Sequence, residues 1–234
     1  FSAARPTLEN LNIGTWPDQT RYMDDFTGVT FDATNDWTVL KDSSAAVALQ
    51  ADALNGVVDL TSQATTDNDG ASIQGNEIWG LPSTAGQKLY FESRFQMSDA
   101  DQMDLYIGLS ENFATNPENV LTAANRIGFR IVDGDATPVL ITESGGSETS
   151  TTLSVTTYDF SDATDVTVSF IATKGTTTDK VKFFINRTLV GTHSTNVPTV
   201  NLTAAAMELS GNATGTKSMS IDYIMVAQDR GVSY

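Results

Sequence analysis

The sequence predicts an all-β protein: a two-sheet antiparallel jelly-roll sandwich carrying an extended N-terminal arm. Three observations predict it. From residue 24 onward, short segments of strict apolar/polar alternation follow one another. The links between them are short and rich in Gly, Asn, Asp, Ser and Thr. Nowhere do apolar residues recur at i, i+3, i+4 and i+7 for three turns, so helical crossovers that would support a parallel sheet are not expected.

Residues 1–23 form the arm, and 24–234 the sandwich domain. Within the arm, Leu8, Leu11, Ile13, Trp16 and Tyr22 are scattered among Pro6, Gly14 and Pro17 with neither helical nor strand periodicity. Such a segment cannot bury its own side chains, so it lies on the domain's flank or on a neighbouring subunit. These five residues are the candidate partner interface, with Trp16 its best anchor because aromatics dominate interface energetics.

In the domain, 37–40, 46–49 and 57–60 read as strands in quick succession, the turn Asp67-Asn68-Asp69-Gly70 follows, and 72–74 and 77–79 come next. Residues 88–97 alternate throughout, with Leu89, Phe91 and Phe95 on one face and Lys88, Tyr90, Glu92, Arg94 and Gln96 on the other. Leu105, Ile107 and Leu109 repeat the pattern, as do Ile127, Phe129 and Ile131. Asp133-Gly134 marks a tight turn that pairs 139–142 with the preceding strand. Residues 145–157 read as an exposed Ser/Thr-rich hairpin. Val166, Val168 and Phe170 begin a strand, and Val181, Phe183 and Ile185 lead into a hairpin turning at Asn186-Arg187-Thr188. Residues 202–209, bounded by Pro198 and Gly211, favour a strand over a helix, and 217–230 a long closing strand.

The formal charge of −16, from 29 acidic against 13 basic residues, disfavours nucleic acid and anionic membrane as partners, because phosphate binding depends on Lys and Arg. No cysteine is present, which removes thiol catalysis and disulfide scaffolds. No apolar run approaches the roughly 20 residues of a membrane-spanning helix, and Phe1-Ser2-Ala3-Ala4-Arg5-Pro6 lacks the basic and apolar regions of a leader.

Candidate chemistry is sparse. Asp99, Asp101 and Asp104 form the densest carboxylate cluster and are the calcium candidates, since hard cations take several oxygen ligands; turn chemistry competes with that reading. Asp67-Asn68-Asp69-Gly70 opens like a calcium loop but lacks the later glutamate. Asp133-Gly134-Asp135 reads as a turn. His193, the single histidine, is expected on a strand facing solvent, and no Gly-x-Ser-x-Gly elbow presents a nucleophile to it. Asn186, Asn201 and Asn212 open glycosylation-type sequons. Trp37 is expected in the core, and Trp79 at a sandwich edge or stacked on a sugar.

Asp24-Asp25-Phe26, Asp36-Trp37-Thr38-Val39, the hairpin 184–192 and the closing strand 221–230 together resemble concanavalin A-like (laminin G-like) jelly rolls. More specifically, the ensemble is similar to jelly-roll structural proteins encoded by tailed bacteriophages, over residues 24–230. That resemblance implies a non-enzymatic capsid decoration (cement) protein on the outer surface of the virion. Its partners would be the major capsid protein and further copies of itself, in a trimer, and no cofactor beyond calcium is implied. The alternative it leaves is a lectin-like module that binds host or extracellular glycans. Enzymes of this fold carry Glu-x-Asp-x-(x)-Glu along one strand, which sets acid and nucleophile side by side. Here Glu92 is followed by Ser93, Arg94, Phe95 and Gln96, so the expectation is that the chain is not an enzyme.

Overall fold

Alternation along the chain becomes two sheets because each strand has one face to bury. In the computed structural model, residues 19–230 are described apart from 29, 43, 52, 54, 63–66, 133–134, 155–159, 161 and 212–214. In chain order the strands are β1 (Gln19–Asp24), β2 (Thr38–Lys41), β3 (Ala46–Leu49), β4 (Val58–Thr61) and β5 (Gly70–Gln74). Then come β6 (Lys88–Met97), β7 (Met103–Ser110), β8 (Arg126–Val132), β9 (Asp135–Ser144) and β10 (Ser147–Thr152). β11 (Val166–Thr173), β12 (Lys180–Ile185), β13 (Thr188–His193), β14 (Thr203–Ser210) and β15 (Ser218–Asp229) complete the set. The described residues contain no helix long and apolar enough to cross a membrane.

One sheet has eight strands in the order β13-β12-β11-β6-β15-β4-β3, with β1 also on β15; the other has seven, β10-β9-β8-β7-β14-β5-β2. All these pairings are antiparallel. β15 is long enough to serve two neighbours on one side: Ser218–Ile221 pair with β4, and Ile224–Asp229 with β1. Its other side runs along β6. The predicted two-sheet antiparallel sandwich is the fold observed.

Between the sheets, Phe91 stacks on Phe170 at 5.3 Å between ring centroids, Phe170 meets Phe183 at 6.0 Å, and Phe129 of the opposite sheet points edge-on into Phe183 at 5.5 Å. Burying each such ring contributes about 1.5–3 kcal/mol. The opening motif is held by one carboxylate: Asp24 accepts the Trp37 indole N–H at 2.7 Å and the Phe26 amide at 2.8 Å. Trp37 and Phe26 are thereby fixed in the core, as expected for Trp37.

Three boundaries differ from the sequence reading. The break at residue 24 falls inside β1, because Gln19–Asp24 find ladder partners on β15. The Ser/Thr-rich hairpin does not begin at Gly145. Gly145 and Gly146 are its turn, with φ of 57° and 77°, and β9 before them is the first arm; a two-residue turn of this hand demands positive φ at both positions. Glu77 and Ile78 are not in a strand, and Trp79 makes a single bridge to Leu202.

Candidate functional site

The outer face of the seven-stranded sheet carries the most organised polar chemistry. β8 points Arg126, Gly128 and Arg130 outward, because Ile127, Phe129 and Ile131 take the inner face. Register then builds a row across three strands: Arg126 on β8 pairs with Glu143 on β9, which pairs with Glu148 on β10. The Arg126 guanidinium Nε lies 2.7 Å from Glu143 Oε2, and Nη2 donates to Glu148 Oε2 at 2.8 Å. Arg130 reaches the same Glu148 carboxylate with both terminal nitrogens, at 3.2 and 3.3 Å. The Arg126 side chain is 4% exposed and that of Glu148 26%, so the row runs from buried to open toward the β10 edge.

Over the central strands this face is closed by the protein itself. The 111–125 connection, with its 3₁₀ segment Pro117–Thr122, lays Phe113 and Val120 onto Tyr106, Ala205, Met207 and Leu209. Gln74 grips the Phe113 backbone at both ends, donating to its carbonyl at 2.6 Å and accepting its amide at 3.1 Å. Glu111 accepts the Ala124 amide at 2.6 Å, and Arg126 Nη1 donates to the Val120 carbonyl at 2.9 Å. The floor is shaped by close backbone approach. A Cβ on Gly128 would lie 2.6 Å from the Ile107 carbonyl and 3.0 Å from the Tyr106 hydroxyl. Its absence lets Tyr106 lie across the strands and donate to the Leu109 carbonyl at 2.7 Å. The face is therefore open only along the ion-paired row at β8–β10, and chiefly at its Arg130 and Glu148 end.

The eight-stranded sheet presents a different group. Glu92, outward on β6, accepts the hydroxyls of both Tyr90 and Tyr223, the latter at 2.8 Å. Burial and then the Glu92 charge push both phenols well above their ordinary range. Beside them, Arg94 pairs with Asp165 and Asp222. An open cleft of about 410 Å³ is lined by Arg94, Thr167, Asn186, Arg187 and Tyr223.

The structure disperses most of the sequence candidates. Asp99 precedes a 3₁₀ turn and binds the Lys217 ammonium, Asp101 is exposed in that turn, and Asp104 is buried on β7. The three do not converge, and among the described residues no three His, Asp or Glu side chains could hold a metal ion. Leu8, Leu11, Ile13 and Trp16 lie outside the described residues. Tyr22 packs edge-on against Trp37 at 6.1 Å, on the sandwich's own core. Trp79 is 3% exposed, so it offers no face to a sugar.

His193 is buried, not solvent-facing. Its ring meets Phe183 edge-on, and its two nitrogens lie 3.0 Å from the Thr142 and Thr151 hydroxyls. Thr142 spends its own proton on the Thr195 carbonyl at 3.0 Å, so it accepts from His193. The proton therefore sits on Nδ1, and Nε2 accepts from Thr151.

The pattern along any one strand does not reveal the group of Glu143, Glu148, Arg126 and Arg130, because its members meet across three strands. The signal was present across a turn: Glu143-Ser144-Gly145-Gly146-Ser147-Glu148 is symmetric about Gly145-Gly146, and a two-residue turn places its two glutamates opposite each other.

No family model matches the chain, and no curated protein does. Solved structures do. The endo-1,3-β-glucanase from Streptomyces sioyaensis superposes with a TM-score of 0.65 at 13% identity, over 93% of this chain and 99% of its own. A Bacteroides ovatus family 16 glycoside hydrolase of a mixed-linkage glucan locus gives 0.62 at 14%, over 88% and 99%. Arcelin-5, a lectin-like defence protein of Phaseolus vulgaris, gives 0.58 at 7%, over 91% and 100%. What is shared at these identities is the concanavalin A-like jelly-roll sandwich, so the fold resemblance of the sequence holds at that level. The expectation that the chain is not an enzyme is overturned at its premise. Endo-glucanases have this same sandwich over nearly their whole length, and paired carboxylates do stand on one sheet face here, drawn from two strands.

Proposed function

We propose that this protein is glycan-directed and takes a sugar chain along the outer face of β8–β10, with Glu143 and Glu148 as the carboxylates that meet it. One observation carries the reading: the two glutamates are direct cross-strand partners, both held by Arg126. Side chains in such pairs have Cβ atoms about 4.5–5.5 Å apart. That spacing lets two carboxylates accept neighbouring sugar hydroxyls, and it is compatible with the roughly 5–5.5 Å separation of a retaining glycosidase pair. The glucanase and lectin-like neighbours support the same substrate class, fold for fold.

The test is affinity electrophoresis and reducing-end release on β-1,3- and mixed-linkage glucans. Retardation or turnover is expected, reduced at least tenfold by Glu148→Gln. A panel of glucans that is neither retarding nor cleaved overturns the proposal. The second reading, a phage capsid decoration protein, is favoured by the opening and closing motifs of the sequence. Co-sedimentation with shells of a major capsid protein, lost on deleting residues 1–18, is the result expected of it.

A further inference from the structure

The inner face of β14 holds a polar cluster that the glycan reading does not use. Glu208 and Ser210 are two residues apart on that strand, each 0% exposed, on the face that carries Ala204 and Ala206 into the core. Asp69, 7% exposed, lies just before β5 opposite Ser210, whose amide donates to the Asp69 carbonyl at 2.9 Å. Half of each carboxylate is satisfied: Ser62 donates to Glu208 Oε1 at 2.7 Å, and Ser44 to Asp69 Oδ2 at 2.8 Å. The other halves are not. Glu208 Oε2, Asp69 Oδ1 and the Ser210 hydroxyl are buried without a partner.

Charge points the same way. The cationic group whose field reaches Glu208 is Lys217, and its ammonium is committed to Asp99. Burial outweighs that field and pushes the Glu208 carboxyl well above its ordinary range; a cation bound beside it would hold it ionised. Buried charge persists when paired or bound to metal. Three buried oxygens without partners match a hard cation, which takes carboxylate and hydroxyl oxygens and fills its remaining positions with water.

We propose that Glu208, Asp69 and Ser210 form a site for a hard divalent cation of the calcium class, bound between the two sheets and independent of the glycan face. The experiment is isothermal titration of the EDTA-stripped full chain with CaCl₂, alongside thermal melts with and without millimolar Ca²⁺. Saturable binding of one ion per chain and a melting point raised by several degrees are expected. Asp69→Asn and Ser210→Ala should each weaken binding at least tenfold, and Asp101→Asn should not. Glu208→Gln should do the same, and the other two variants carry the test if it does not fold. A stripped chain that binds neither Ca²⁺, Mg²⁺ nor Mn²⁺ overturns the proposal, as does Ca²⁺ binding that survives both Asp69→Asn and Ser210→Ala.

Discussion

Two hairpins, one from each sheet, lie beside each other at one side of the sandwich, and they are built to different ends. β12–β13 turns at Asn186-Arg187, with φ of 47° and 66°, and sends Val181, Phe183 and Ile185 into the core. β9–β10 turns at Gly145-Gly146 and presents Glu143 and Glu148 outward. His193 links them through Thr142 and Thr151, and Thr195 and Asn196 reach Thr149 at 2.8 and 3.0 Å. The first hairpin anchors the edge with apolar mass, and the second uses that anchored edge to hold charge in fixed positions. A binding row on a rigid strand keeps its geometry without help from loops.

The largest effect should come from breaking the charged hairpin. Arg126→Ala strands Glu143, which is 7% exposed, and should destabilise the fold by about 3–5 kcal/mol in urea unfolding. The turns should answer to substitution in opposite senses. Gly146→Ala forces a Cβ into left-handed backbone and should lose about 1–2 kcal/mol, whereas Arg187→Gly relieves the same conformation and should gain up to about 1 kcal/mol. The smallest effect concerns the link. Burial pushes the His193 pKa below its ordinary 6.5, and hydroxyls and the Phe183 ring, not charges, face it. A depressed folded pKa gives stability that is present above the unfolded value and lost as pH falls through the folded one. Denaturation midpoints followed from neutral pH down to about pH 5 should therefore decline less in His193→Gln than in the natural chain.

The sequence showed the sandwich plainly, because period-2 alternation reports a strand's buried face and 88–97 obeys it with Ser93 as the one polar residue on the inner face. It also favoured strand over helix for 202–209 despite Ala204-Ala205-Ala206, since both flanks carry breakers, and β14 is that strand. The carboxylate pair was not legible along the chain, because its partners belong to different strands and only the turn fixes their register. The closing of the central face by 111–125 was likewise hidden: Phe113 and Val120 show no period that betrays where they dock. Ser62 and Glu208 are 146 residues apart, so their meeting depends on topology rather than on any local pattern.

β14 and β15 have a consequence for how the molecule is made. They are the last two of the described strands in chain order, yet each lies inside its sheet, β14 between β7 and β5 and β15 between β6 and β4. At translation rates of about 5–20 residues per second, β6 and β7 emerge from the ribosome several seconds before their central neighbours exist. Through that interval both half-sheets expose raw edges, where stray strands can pair. Neither sheet is continuous until its own late strand is inserted, so both cores wait on contacts between segments far apart in the chain.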